Sequence, residues 1–304
     1  MATTTTADVK LSVLPPATGH AGIRGVLASE FTKLRSVRST YWTIGALVLV
    51  GVGLAAAIGA GAAADLHSNP GDKAGFDATS TSLGAFFYLG QLIIAVLGAM
   101  VITSEYSTGM IRTSLTAMPR RGNVFASKLI VFTGVALVVS LVTSFIAFFV
   151  GQALLSGSGV SASLFHSTTV PAVAQVTPHS TTLSGTLTVT ASTVLTAVIG
   201  TALLVTVCAV IAFGLGAIIR HTAGAIASAI GLLFVLPIII QLLPHTWRWD
   251  LMRFFPSFAG DVMTSTVGPT NQHLWSTWPQ FGVAVVWAAV LVGVGAYLFR
   301  KRDA

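Results

Sequence analysis

Residues 129–155 read LIVFTGVALVVSLVTSFIAFFVGQALL and contain no charged side chain. A helix needs about 20 mostly apolar residues to cross the hydrocarbon core of a bilayer, and this stretch exceeds that length. The charge-free run continues to Ile219, which is too far for one helix. It is divided at about Ser156–Thr186, where Ser, Thr, Gly and Pro are frequent and predict a loop. Two transmembrane spans follow, at about 129–155 and 189–219.

Four more apolar stretches extend this pattern. They lie at about residues 41–64, 83–103, 222–243 and 280–299. Pro237 predicts a kink in the fifth span. Gly53, Ala57 and Gly61 recur at a spacing of four on the first span, which predicts a helix-packing face unless it merely reflects an Ala-rich composition.

The composition agrees with a membrane protein. The 304 residues are 54% hydrophobic and 8% charged, with a mean hydropathy of +0.84, whereas soluble domains carry about 25% charged residues. The sequence therefore predicts an all-α polytopic membrane protein with six transmembrane helices within residues 41–303. Residues 1–21, rich in Thr and Pro, are predicted to be a disordered cytoplasmic leader.

The basic residues divide unevenly between the two sides of this layout. The side that holds both termini receives Lys10, Arg24, Lys33, Arg35, Arg38, Arg112, Arg120, Arg121, Lys128, Arg220, Arg300, Lys301 and Arg302. The other side receives Lys73, Arg248 and Arg253. Because Lys and Arg collect in cytoplasmic loops, we expect a multi-pass protein of the cell (inner) membrane with both termini in the cytoplasm. The basic residues form short clusters rather than one patch, so the net charge of +7 does not indicate nucleic-acid binding.

Residues 22–40 have the pattern of an amphipathic helix. The apolar residues, Phe31 and Leu34 among them, fall within one arc, and Lys33 and Arg35 lie outside it. This predicts an interfacial helix on the cytoplasmic membrane surface, with membrane lipid as its partner. Glu30 falls inside the apolar arc. It either faces a cationic partner, or shows that the helix is slightly rotated, or is a solvated carboxylate.

Between spans two and three lies the segment 104–128. From Thr103 to Lys128 the chain reads TSEYSTGMIRTSLTAMPRRGNVFASK. A short helix is predicted here, with Pro119 at its end. Glu105 stands at the end of span two, where its carboxylate can hold a basic partner. Gly109 permits close backbone approach.

These residues resemble a known family. The pattern E-[YF]-x-x-G…L…P…R…K of ABC-2 type permease subunits, which have the type V exporter-like fold, is similar to Glu105-Tyr106, Gly109, Leu115, Pro119, Arg120-Arg121 and Lys128. Glu30 to Ser36, followed by Tyr41-Trp42, looks like the start of those permeases. The resemblance covers about residues 22–300. Met110 departs from it, since the family often has Thr there.

The resemblance implies a coupling helix that rests on a separate cytoplasmic ABC ATPase and transmits its motion. The residues that would carry this role are Glu105, Tyr106, Gly109, Arg112, Leu115, Pro119 and Arg120. ATP and Mg²⁺ would be bound by the ATPase, this chain would hold no cofactor or metal and would not be an enzyme, and a second permease copy or a paralogue would complete the pathway. No G-x-x-x-x-G-K-[ST] motif occurs in the chain. The alternative is an ordinary amphipathic loop that follows the charge bias.

The segment Pro244–Pro279, between spans five and six, is rich in aromatic residues. Trp favours the membrane–water interface, so Trp247–Phe258 is predicted to form a short helix or re-entrant element at the outer leaflet. In similar permeases such an element caps the exit path, and Trp247, Trp249, Phe254 and Phe255 would form this outer gate. An aromatic belt anchor is the equally open alternative.

Two functions remain open. The first is the membrane-spanning permease subunit of an ATP-binding cassette transporter, an exporter by resemblance. The second is a non-transporting membrane sensor or immunity component that binds a peptide or drug. The apolar interiors of the six spans contain no Asp, Glu, Lys or Arg, which argues against a proton-coupled carrier.

Overall fold

Long apolar helices dominate the computed structural model, which describes residues 23–73, 76–110, 121–176, 181–266 and 275–301. Within these residues, six helical stretches are long and apolar enough to cross a bilayer. They are α2 (Arg38–Ser68), α3 (Ala78–Ser107), α4 (Arg121–Leu155), α5 (Ala191–Ile219), the broken fifth span (Thr222–Gln241) and α10 (Thr277–Lys301). The predicted fold class, an all-α polytopic membrane protein with six spans, is confirmed.

The spans alternate in direction, so the bundle has two ends. The basic end is where α2 and α4 begin and where α3, α5 and α10 finish; the hairpin end is the opposite one. Several helices are longer than their predicted apolar stretches. Residues 41–64 were predicted for the first span, and α2 has 31 residues, which is about 46 Å against a hydrocarbon core of about 30 Å. The helix ends therefore extend beyond the lipid core.

Helices α3 and α5 are the most enclosed spans, and their contact forms the centre of the bundle. Helix α4 joins this centre: its Phe132 ring stacks on Phe213 of α5 with 5.7 Å between the ring centroids. Polar contacts join the same helices: the Ser144 hydroxyl of α4 donates to the carbonyl of Val198 at 2.8 Å. Lipid tails are as apolar as these side chains, so close packing and interhelical hydrogen bonds hold the bundle together.

The fifth span is interrupted next to its proline. It consists of α6 (Thr222–Ile230), a π-helical turn (Gly231–Val235) and α7 (Leu236–Gln241). Pro237 has no N–H to give to the carbonyl of Leu233 four residues earlier. The Ser257 hydroxyl donates to that carbonyl instead, at 2.6 Å. The irregularity expected at Pro237 is present, and it receives a polar contact from the next segment.

Helix α1 (Ile23–Ser36) rests against the basic end of the bundle. It is shorter than the predicted 22–40, because Val37 is extended and residues 38–40 belong to α2. Val26 and Glu30 are buried and Leu34 packs against the core, whereas Phe31 is 51% exposed. One part of the apolar arc is thus buried against the bundle, and another part is exposed. The helix is rotated from the orientation in which the whole arc faces lipid, because Glu30 has a partner in the bundle.

A β-hairpin follows α4 at the hairpin end. Strand β1 (Thr168–Val176) pairs antiparallel with β2 (Thr181–Val189), with Val170 opposite Leu187. A loop was predicted over Ser156–Thr186, and that prediction is wrong for the two strands. Thr and Val favour strands, but Pro171 and Gly185 within the strands obscured the pattern.

The chain between spans five and six enters the bundle again. Helix α8 (His245–Met252) is followed by a 3-10 turn (Pro256–Phe258) and the five-residue helix α9 (Ala259–Met263). Most of the side chains from Pro256 to Thr264 are buried. A Cβ at Gly260 would overlap the ring of Phe87, so only glycine permits this approach to α3. A short helix or re-entrant element was predicted for Trp247–Phe258, and α8 and the 3-10 turn occupy that range. The buried part continues beyond it, and we call residues 256–264 the re-entrant segment.

Candidate functional site

Four charged side chains meet at the basic end, where α1, α3 and α4 come together. The Lys128 ammonium lies 2.6 Å from Glu30 Oε2 and 2.7 Å from Glu105 Oε1. The Lys33 ammonium lies 2.7 Å from Glu30 Oε1 and 3.3 Å from Glu105 Oε1. Each carboxylate thus touches both ammonium groups. We call Glu30, Lys33, Glu105 and Lys128 the ion cluster.

The local helix geometry brings these residues together. Glu30 lies on the buried face of α1, and Lys33 follows one turn later. Glu105 is in the last turn of α3, and Lys128 is two turns into α4. The segment 104–128 joins α3 to α4, so the Glu105–Lys128 contact ties its two ends together. The contacts of Glu30 and Lys33 then attach α1 to the same point.

The ion cluster is balanced in charge and largely enclosed. Its two acidic and two basic groups cancel, and the side chains of Glu30, Glu105 and Lys128 are at most 8% exposed. Burial alone would raise the pKa of Glu30, but Lys128 and Lys33 outweigh it and hold that pKa below its ordinary value of 4.5. Burial alone would lower the pKa of Lys33, but Glu30 and Glu105 raise it above 10.5. Both groups are therefore charged at neutral pH.

A cavity of about 340 Å³ lies beside the ion cluster. All four charged residues line it, together with apolar side chains of α1 and α3 that include Leu34, Leu97 and Met100. The α1–α3 contact is therefore not packed solid.

Tyr106, next to Glu105, joins a second contact between helix ends. The guanidinium of Arg220 lies 5.0 Å from the centre of the Tyr106 ring, which is a cation–π geometry. Arg220 ends α5 in the left-handed conformation, with φ of 59°, and donates to the carbonyl of Leu298 in α10 at 3.1 Å. The last turn of α3 is thereby joined to the ends of α5 and α10.

Gly109 follows the last turn of α3 and has a left-handed backbone. Among the described residues, no atom lies within 4 Å of a Cβ built at this position, and the close approach predicted for it stays a prediction. Its φ is +70°, a value that other residues adopt only with strain. Glycine therefore sets the direction in which the chain leaves α3.

The remaining sequence-predicted residues are distributed as follows. Arg112, Leu115, Pro119, Arg120 and the leader 1–21 lie outside the described residues. In α1, Lys33 belongs to the ion cluster, Leu34 packs on the core, and Phe31 and Arg35 are exposed. Glu30 combines the first two of its three predicted alternatives: its carboxylate has a cationic partner, and α1 is rotated toward the bundle. Lys128 as that partner was missed, although a lysine at the start of an apolar span was the available signal.

The outer element is only partly buried. Trp249 and Phe255 pack around Ile240, Met252 and Phe258, while Trp247 is 70% exposed and Phe254 is 52% exposed. The indole N–H of Trp287 in α10 donates to the carbonyl of Phe254 at 2.8 Å. Two of the predicted gate residues, Trp249 and Phe255, are therefore partly buried, and the other two are exposed.

Charged side chains of the outer element engage their own neighbours. Arg248 lies 4.5 Å from the ring centre of Trp249, and Arg253 forms an ion pair with Asp250. A different carboxylate of the same segment, Asp261 on α9, accepts a hydrogen bond from the Tyr88 hydroxyl of α3. Asp261 was not predicted, because it lies outside the six apolar stretches in which a charge stands out.

Two comparisons with known proteins bear on the whole chain. The family model described as ABC-2 family transporter protein matches residues 26–236, roughly two thirds of the chain. The matched range contains the whole ion cluster and ends before the re-entrant segment. No curated protein matches the chain.

Proposed function

The chain belongs to the ABC-2 family of transporter proteins and is a membrane permease component of an ABC transporter, and we propose that separate cytoplasmic ATPase subunits drive it as an exporter. In this proposal ATP and Mg²⁺ are bound by the ATPase. The permease contributes the pathway and the elements that receive mechanical work.

The ion cluster is the observation that carries this proposal. It attaches α1 to both ends of the segment 104–128, so a force applied to that segment acts on α3, α4 and α1 together. Separating buried opposite charges is strongly unfavourable, since each charge would be left without its partner. The cluster therefore makes the basic end a rigid point at which a docked ATPase can pull or push.

The proposed sidedness places the basic end in the cytoplasm, following the charge bias. Thr108 is exposed at this end and Phe165 is exposed at the hairpin end. Cys208, the single cysteine of the chain, is buried, so an introduced cysteine can be labelled selectively. In intact spheroplasts, a membrane-impermeant maleimide should label Phe165→Cys and spare Thr108→Cys. In inverted vesicles the pattern should reverse, and labelling of Thr108→Cys in spheroplasts would contradict the proposed sidedness.

A second permease copy or a paralogue is part of the proposal. On α2, Gly51 and Gly59 face inward and meet Phe86 and Gly151. Gly53 and Gly61 face the other way, and no described atom lies within 4 Å of a Cβ built at either. Small residues permit close helix contacts in membranes. The outward face of α2 therefore supports packing against another subunit.

The proposed outer gate consists of Trp247, Trp249, Phe254 and Phe255. The contact of Trp287 with Phe254 supports this role, because it joins the element to α10 and hence to Arg220 and Tyr106 at the basic end. A movement of α10 can then reach both ends of the bundle. Trp287→Phe removes the indole N–H that donates to the Phe254 carbonyl and keeps an aromatic ring at this position.

The test of the proposed function is the ATPase activity and transport of the complex isolated from native membranes. We expect an ABC ATPase to co-purify with the wild-type chain and to hydrolyse ATP. Lys128→Met should weaken transport per ATP hydrolysed, whereas Lys301→Met, an exposed lysine at the same end, should not. Failure to retain any ATPase would contradict the proposal. Retention of an ATPase without ATP-dependent flux would favour a sensor or immunity component.

A further inference from the structure

The re-entrant segment reaches the depth of the spans. Ser257 contacts Leu233, eight residues before the fifth span ends at Gln241, and Gly260 meets Phe87, nine residues into α3. At a rise of about 1.5 Å per residue, both contacts lie roughly 12–14 Å inside the hairpin end of the helices. Helix α3 is about 45 Å long by the same rise, so when it is centred on a 30 Å core it extends only about 7 Å beyond each side. Helix α9 therefore lies within the hydrocarbon depth.

At this depth, one carboxylate is exposed at the side of the helix bundle. The neighbours of Asp261 on α9 are buried, but Asp261 itself is exposed, and Tyr88 beside it is 46% exposed. The Tyr88 hydroxyl donates to Asp261 Oδ1. No other described residue forms a hydrogen bond or an ion pair with Asp261. A carboxylate accepts several hydrogen bonds, so part of its capacity is not used by the described residues.

This arrangement does not suit a surface covered by lipid. A charged side chain within the hydrocarbon region is costly, and such residues face a bundle interior or a water-filled path. The pair also has the chemistry of a cation site. A carboxylate forms charge-assisted hydrogen bonds with ammonium groups, and the face of a tyrosine ring attracts organic cations.

We propose that Asp261 and Tyr88 form a binding site for an organic cation carried by the transporter. The transport role of this site rests on the proposed function, whereas binding to it does not. In the described part of a second copy, Lys73 lies in the turn beyond the end of α2, outside this depth, while Arg248 already contacts Trp249 and Arg253 is paired with Asp250. A small molecule with a positive charge is therefore favoured over a subunit contact.

The test is equilibrium binding to the purified full chain in lipid nanodiscs. The probes are tetraphenylphosphonium, a lipophilic cation, and tetraphenylborate, an anion of the same shape, with empty nanodiscs as the background. We expect saturable binding of the cation alone. Asp261→Asn should weaken it at least tenfold. Tyr88→Phe, which keeps the ring, should weaken it less than Tyr88→Leu.

Asp65→Asn is the matched control, because Asp65 is an exposed carboxylate in the last turn of α2. It should leave the affinity unchanged. Wild-type chain without saturable cation binding, equal binding of both ions, or an unchanged affinity in Asp261→Asn would overturn the proposal. A dimer that dissociates in Asp261→Asn, without saturable binding in the wild type, would instead identify a subunit contact. None of these readouts needs the ATPase, so this site and the proposed function can fail separately.

Discussion

Replacing Lys128 by methionine tests the ion cluster most sharply among single substitutions. The wild-type cluster has two positive and two negative charges. Lys128→Met leaves Glu30 and Glu105 with Lys33 alone, whose side chain is 32% exposed. Removing one partner of a buried ion pair typically costs about 3–5 kcal/mol. Because a methionine of similar length fills the space, the loss reflects charge rather than volume.

A second substitution should recover much of this loss. In Lys128→Met combined with Glu105→Gln, the cluster again has equal charge, and the contact between Glu30 and Lys33 at 2.7 Å remains. We therefore expect the double variant to be more stable than Lys128→Met alone, with a coupling energy of about 1–3 kcal/mol. Independent sites would instead give a double variant that is less stable than either single variant.

The measurement is the thermal unfolding midpoint of the purified chain in detergent, followed by tryptophan fluorescence. One kcal/mol shifts the midpoint by about 2–4 °C in domains somewhat smaller than this chain. Lys128→Met should then lower it on the order of 10 °C, and the double variant should recover at least half of that shift. Lys301→Met should change it by less than about 2 °C, as is usual for exposed positions. The reasoning is refuted if Lys128→Met matches the wild type or if the double variant unfolds first.

Three further outcomes follow from the geometry. Gly109→Ala, at a φ of +70°, should lower the free energy of unfolding by about 1–2 kcal/mol, measured through a lower thermal midpoint. Gly25→Ala within α1, where space is open, should be neutral or stabilising. Equal effects of the two substitutions would show that the left-handed turn is not required. Glu30 has a lowered pKa, so its contribution to stability is complete above 4.5 and is lost as the pH falls below that value. The midpoint difference between the wild type and Glu30→Gln should therefore stay constant from pH 6 to 8 and shrink in acid, and a difference that grows in acid would have the wrong sign. Ser257→Ala leaves the Leu233 carbonyl without its donor and should lower stability by about 1–3 kcal/mol; no change relative to Ser156→Ala, an exposed serine, would mean that Pro237 needs no compensation.

The six spans could be predicted because their signal is local. Each is a long run without charge, and the bilayer fixes the length that such a run needs. The hairpin was missed because pairing of β1 with β2 depends on contacts between separated residues, and Pro171 weakens the only local signal. The aromatic residues from Trp247 to Phe258 marked the first part of the segment between spans five and six, whereas its buried continuation to Thr264 is short and rich in small residues and had no comparable signal.

The candidate site was predicted in part. Glu105 stands out as a carboxylate at the end of an apolar span, so a basic partner was expected. Its partners come from α1 and α4, and only the folded arrangement shows that Lys128 lies between Glu30 and Glu105. Asp261 gave no signal, because its depth in the membrane is set by the path of α9 against Phe87 rather than by the residues around it in sequence.

In the proposed function, an ABC ATPase docks at the basic end of this permease. A photo-reactive amino acid placed at Thr108 of the full chain, and separately at Phe165 at the hairpin end, tests it in native membranes. We predict a cross-link from Thr108 to a polypeptide that contains an ATP-binding motif, and none from Phe165. A cross-link to that ATPase from Phe165, with none from Thr108, would show that the ATPase docks at the hairpin end instead.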